Sequence, residues 1–158
     1  MRMVLMGVSG CGKTSVGLKL AEELGARFVD GDALHSEANR AKMNAGIPLT
    51  DDDRWPWLDS VGETLNSGNQ MIVACSALKR VYRDRIRAAA PGTVFVHLHG
   101  TREILAERLG GRKGHFFPAA LLDSQLEILE PLASDEAGFI VNIDAPLDAI
   151  VNEILAGF

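Results

Sequence analysis

Gly7-Val8-Ser9-Gly10-Cys11-Gly12-Lys13-Thr14 has the spacing G-x-x-x-x-G-K-[ST] of a phosphate-binding loop. Just before it, Met3-Val4-Leu5-Met6 is a short apolar run suited to a buried strand. Just after it, Val16, Leu20 and Leu24 recur at helical spacing and form one apolar stripe. The motif therefore sits between a strand and a helix, the context it needs. Its glycines allow a tight turn that exposes consecutive N–H groups, and the following helix adds the positive end of its dipole. Residues Gly7, Val8, Ser9, Gly10, Cys11, Gly12, Lys13 and Thr14 are thus read as a cradle for bound phosphate oxygens. Lys13 reaches the outer phosphates, and the Thr14 hydroxyl binds Mg²⁺.

Working outward, composition narrows the setting. The chain has 158 residues, 47% of them hydrophobic, which suits a single domain, 1–158, with a core that needs no disulfides. Its two cysteines, Cys11 and Cys75, offer neither a disulfide framework nor metal-ligand spacing. No apolar run approaches the ~18 residues of a membrane span, and the N-terminus lacks the sections of a signal peptide. A cytoplasmic protein with no membrane partner is expected. The formal net charge of −5 argues against nucleic acid as a partner. Positive charge for binding anions must then be gathered locally.

Arg27-Phe28-Val29-Asp30 reads as a second strand, with Asp30-Gly31-Asp32 at its carboxyl end, where ligands gather in open α/β sheets. Asp30 and Asp32 together are assigned to Mg²⁺ ligation through water and to an attacking hydroxyl, with which of the two touches the metal left open; the competing reading is an Asp-Gly turn that caps a helix. Leu34 to Ala45 reads as a helix stopped by Gly46 and Pro48, with His35, Asn39 and Lys42 on one face and Leu34, Ala38, Ala41 and Ala45 on another. Such a donor-rich face fits a ligand with many hydroxyls. Thr50 or one of Asp51, Asp52 and Asp53 caps the next helix, whose stripe is Leu58, Val61 and Leu65. Pro56 is acceptable only near its first turn, and Trp55 and Trp57 read as packing. Arg54 carries a planar fork that can hold a carboxylate.

Gln70 to Ala74 is a buried-type strand, and Cys75-Ser76-Ala77-Leu78-Lys79-Arg80 then opens a helix. Lys79, Arg83 and Arg87 share one face of that helix, whose basic start would attract an anionic substrate; Arg85 and Arg87 read as solvated. Thr93 to Leu98 is a fourth strand, in which His97, like His99 just beyond it, reads as structural. The stretch 108–118, with paired glycines among basic residues, reads as a lid, in which Arg108 and Arg112 stabilise charge on the moving phosphoryl group. Leu121, Leu122, Leu126 and Leu129 pattern a helix, Phe139 to Ile143 a fifth strand, and Asp144-Ala145-Pro146 a turn into a last helix through Leu155. The alternation implies one doubly wound α/β domain, with residues 35–65 and the lid inserted over its active edge.

Taken together, the ordered motifs resemble the phosphate-loop type of gluconokinase. The resemblance rests on Gly7 to Thr14, Asp30-Gly31-Asp32 with Leu34-His35, Asn39, Lys42-Met43, Gly46 with Pro48-Leu49, Asp51 to Arg54 with Pro56-Trp57-Leu58, Cys75 to Lys79 with Tyr82-Arg83, and Arg112 to Phe117. It spans nearly the whole chain; Ser36 departs from the Pro common in the family, at a place where a cap residue is physically easy. It implies a P-loop NTPase fold of the nucleoside-monophosphate-kinase kind with a five-stranded parallel sheet, and ATP-dependent phosphorylation of D-gluconate at its 6-hydroxyl. The product would feed the pentose phosphate or Entner–Doudoroff route, and a homodimer is implied. With that substrate, Arg54 and Arg83 become the carboxylate clamp, and His35, Asn39, Ser76, Lys79 and His115 further substrate contacts. Asp32 sits at the attacking oxygen, and Asp144 and Pro146 on the adenine side. Two rivals stay open on the residues alone: a kinase for another small anionic polyol such as shikimate, and a nucleotide-binding switch that transfers nothing.

Overall fold

A computed structural model describes residues 1–110 and 119–158. Five strands form one parallel sheet in the order β2-β3-β1-β4-β5, with β1 Arg2–Met6, β2 Arg27–Asp30, β3 Met71–Ala74, β4 Val94–His99 and β5 Gly138–Asn142. The apolar run of β1 is explained by burial on both faces. Met3 and Leu5 enter one core cluster while Val4 and Met6 enter the other, all four fully buried. Helices α1 (Lys13–Leu24), α5 (Arg102–Gly110), α6 (Ala119–Ile128) and α7 (Leu147–Ala156) contribute to the first cluster. Helices α3 (Asp51–Asn66) and α4 (Arg80–Ala89) cover the opposite face, where the expected stripe of Leu58, Val61 and Leu65 is wholly buried. The doubly wound parallel sheet read from the sequence is the fold observed. Residues 111–118, which hold most of the expected lid, lie outside the described residues.

Two helices begin later than the sequence pattern implies, for local reasons. A short 3-10 turn occupies Gly31–Leu34, and α2 runs only over Glu37–Asn44. Ser36 Oγ accepts from the Asn39 N–H at 3.1 Å and caps it. Here the capping hydroxyl wins over helix propensity upstream. The two faces of α2 differ sharply in burial. Ala38, Ala41 and Ala45 are exposed, whereas Asn39 is buried, 5% exposed. Helix α4 starts at Arg80 rather than at Cys75, because Ala77 takes a left-handed backbone (φ 46°) that no helix admits. Thr50 caps α3 in a reciprocal box with Asp53, which tolerates Pro56 one turn further in.

Candidate active site

The phosphate loop joins β1 to α1 in the expected geometry. Gly12, the N-cap of α1, holds φ 93°, a conformation that any side chain would strain. Lys13 Nζ folds back to donate to the Gly7 and Val8 carbonyls at 2.8 and 3.2 Å. The Gly7 N–H donates to the Ser76 carbonyl at 3.2 Å, which ties the loop to the end of β3. Beside it, Asp30 pairs in register with Ala74, so the end of β2 lies next to the end of β3. Gly31 is pressed against the sheet: a Cβ there would stand 2.3 Å from the Ala74 carbonyl oxygen. Only glycine permits that approach, and it brings Asp30 and Asp32 to the rim of the loop.

One cleft of about 580 Å³ gathers these parts. Its lining includes Ser9, Lys13 and Thr14 from the loop, Asp30 and Asp32 from the end of β2, and His35, Arg54 and Ser76. Eight of the residues expected from the sequence to work together (Ser9, Lys13, Thr14, Asp30, Asp32, His35, Arg54 and Ser76) are therefore brought to one cavity. Asp30 caps the turn, as its competing reading has it: one carboxylate oxygen accepts from the Asp32 N–H at 3.0 Å, and the residue also lines the cleft. Its second oxygen and the Thr14 hydroxyl are hard oxygen donors suited to Mg²⁺. Among the described residues no cluster of three or more His, Cys, Asp or Glu could hold a metal alone. That donor set fits a magnesium ion carried mainly by phosphates and water.

The acceptor wall is a side-chain network. His35 stacks on Trp57 with ring centroids 4.1 Å apart, and the Trp57 indole N–H donates to the Gly31 carbonyl at 2.8 Å. The Asn39 amide lies 3.2 Å from His35 Nδ1 and donates to the Asp53 carbonyl at 2.9 Å. Burial holds the His35 pKa below its ordinary value, so the ring is neutral. With Nδ1 accepting from Asn39, Nε2–H is the donor left for a ligand. Lys42 pairs with Asp53 at 2.8 Å, and that hydrogen bond, with those from Thr50, lowers the Asp53 pKa to about 2. Arg54 lies 3.3 Å from Asp51, which also accepts from the Tyr82 hydroxyl, and its guanidinium sits 5.4 Å from the Tyr82 ring centre. Asn39 thus acts behind His35 rather than in the cleft, and Lys79 stands over the Tyr82 ring at 5.7 Å.

Arg83 corrects the expected carboxylate clamp. Its side chain is fully buried and forms a two-point pair with Glu136, Nε–Oε1 2.7 Å and Nη2–Oε2 3.1 Å. Nη1 donates to the Ala77 carbonyl at 2.8 Å. Because α4 starts late, Arg83 turns inward under the β3–α4 loop instead of outward to a ligand. Arg87, expected to be solvated, shares Glu136 at 2.8 Å and covers the Phe95 ring. Burial pushes the Glu136 carboxyl up, but hydrogen bonds from Arg83, the Ala133 N–H and Arg87 outweigh it and hold the group at about 2. Arg85 is exposed and paired with Asp59, as a surface residue should be.

On the nucleotide side, Arg108 donates to the Ile143 carbonyl, and its Nη1 would lie 3.7 Å from a Cβ on Gly12. It bridges the loop and the turn that leads through Asp144 to Pro146, the N-cap of α7. Arg112 and His115 lie outside the described residues. Sequence reasoning missed Tyr82 and Gln125 as site residues, although both line the cleft. Tyr82 stood within a recognised motif, whereas the leucine spacing of α6 drew attention away from Gln125.

Comparison with known proteins agrees with this geometry. A family model described as an AAA domain matches residues 3–132. The chain is 45% identical to a gluconokinase of Gluconobacter oxydans, over 99% of this chain and 90% of the relative. The chain belongs to the gluconokinase family. Thermoresistant gluconokinase of Escherichia coli is 42% identical, over 94% of this chain and 87% of that one. The crystal structure of a gluconokinase from Sinorhizobium meliloti superposes with a TM-score of 0.92 at 54% identity, covering 99% of this chain and 90% of that one. A gluconokinase fold therefore accounts for the whole sheet and both walls of the cleft.

Proposed function

We propose that this member of the gluconokinase family transfers the terminal phosphoryl group of ATP to the 6-hydroxyl of D-gluconate, giving 6-phospho-D-gluconate and ADP. The observation that carries the reading is the single cleft in which Lys13 and Thr14 meet Asp32, His35 and Arg54. A phosphate cradle and a wall of hydroxyl and carboxylate partners are what a sugar-acid kinase needs side by side. Arg54 holds the gluconate carboxylate, and His35 and Ser76 meet chain hydroxyls. Asp32 orients the attacking hydroxyl and takes up its proton as the new P–O bond forms and the bond to the departing ADP oxygen breaks. Lys13 offsets the charge spread over the transferred group. Thr14 and Asp30 would hold Mg²⁺, which supplies further charge neutralisation when bound.

Arg108 is best read as a nucleotide-side residue linking the loop to the Asp144–Pro146 turn, with Arg112 and His115 closing from 108–118. Lys79 and Asn39 support the acceptor wall from behind. The chain is read as one kinase domain, with 35–65 as its acceptor-binding insertion, as cytoplasmic from its composition, and as a homodimer on the strength of the family resemblance. Among the described residues no helix is long and apolar enough to cross a membrane. An assay of ADP release across aldonic acids and shikimate tests the reading, with ¹³C NMR locating the phosphate. Turnover with gluconate and a product phosphorylated at carbon 6 are expected; turnover with shikimate and none with gluconate would overturn it.

A further inference from the structure

Helix α6 reaches the phosphate loop through one polar side chain. Gln125 Oε1 accepts from the Ser9 N–H at 2.7 Å, and its Nε2 donates to Ser9 Oγ at 3.1 Å. The two residues are 116 positions apart, yet both line the cleft with Lys13, Thr14 and Asp32. Within the loop, Gly12 lies beside Arg108, and Ser9 lines the cleft that also holds Asp32, His35 and Arg54. Ser9 therefore marks the end of the cradle where the phosphoryl group crosses. A loop N–H of this kind favours an anionic oxygen. Here the oxygen of a neutral amide occupies it at the distance such an anion would take.

We propose that Gln125 belongs to the transfer site. Its amide oxygen stands where an oxygen of the nucleotide's terminal phosphate binds, yields the Ser9 N–H to that phosphate, and then donates to it through Nε2. The inference rests on the reading above that the loop holds ATP. It makes Gln125 the residue by which the cleft distinguishes a nucleoside triphosphate from a diphosphate, which lacks the oxygen in question. Of the other α6 residues at the cleft, Leu121 and Ile128 are apolar, and among the described residues Ser124 makes no hydrogen bond to the loop as Gln125 does.

Gln125→Glu separates this role from simple docking of α6. A carboxylate can accept from both the Ser9 N–H and the Ser9 hydroxyl, because a hydroxyl donates as readily as it accepts. The helix therefore stays attached, and the melting temperature should not move. The added negative charge, however, opposes the terminal phosphate. Calorimetric titration with Mg²⁺ should show affinity for a non-hydrolysable ATP analogue falling about tenfold more than affinity for ADP. Gln125→Met, of similar length but with no polar group, should bias the two nucleotides the same way by about threefold. Equal losses for both nucleotides, or none, in folded variants would refute the role of Gln125 while leaving the loop assignment intact. Failure of the wild-type chain to bind either nucleotide would remove the loop reading and this inference together.

Discussion

The two walls of the cleft are built by opposite means. The nucleotide wall is backbone: one unbroken stretch from Gly7 to Thr14, shaped by glycine conformations and seated on a buried strand. The acceptor wall is made of side chains: His35, Asn39 of α2, Asp53, Arg54 and Trp57 of α3, and Tyr82 of α4 hold one another through contacts up to 31 residues apart. A backbone cradle serves any nucleoside triphosphate, because every phosphate chain offers the same oxygens. A side-chain wall answers to the particular pattern of hydroxyls and carboxylate that an acceptor offers. Generality and specificity are thus kept on different kinds of structure, and substitutions on the two walls should fail differently.

The largest effect should come from Lys13→Ala. It removes the cation that offsets the moving charge and should lower kcat by about 10³-fold with the fold intact. Steady-state kinetics beside a thermal melt checks this; near-normal turnover would contradict the assignment of the loop. Next, Glu136→Gln leaves Arg83 and Arg87 without their buried counter-ion and should cost about 3 kcal/mol of stability by denaturant titration. The same carboxyl sets a pH window. Its folded-state value of about 2 lies below the ordinary 4.5, so its stabilisation is complete above pH 4.5 and is lost as pH falls towards 2. Wild-type stability should therefore drop through that window, and the Gln variant should lose this component of the drop. Smallest is Arg54→Lys, which keeps a charge but loses the planar fork. It should raise KM for gluconate about tenfold and leave KM for ATP unchanged. An equal rise in both would place Arg54 on the wrong wall.

The same contrast explains what could be read from the sequence. The nucleotide wall was legible because its signal is local: a strand, a glycine-spaced loop and a helix in immediate succession. The sheet followed from the alternation of apolar runs and turns. On the acceptor wall, the residue types were legible but not their directions. Arg83 shares a helical face with Lys79 in the sequence, but the late start of α4, set by the left-handed Ala77, turned it into the core towards Glu136. The partner lies 53 residues away, and no periodicity points to it. In α2 the donor-rich face turns inward and buries Asn39 while the alanines meet water, a direction that spacing alone did not give. Gln125 was invisible because its meaning lies wholly in its contact with Ser9.

The polar mooring of α2 has a consequence for motion. Because α2 (Glu37–Asn44) turns its alanines to water and is moored by Asn39 and Lys42 to Asp53, little oily surface is uncovered when it swings away. Its release is opposed by a few polar tethers that water can replace, not by the drying of a core. The amide protons of α2 should therefore exchange with solvent well before those of α3, with the sheet still folded.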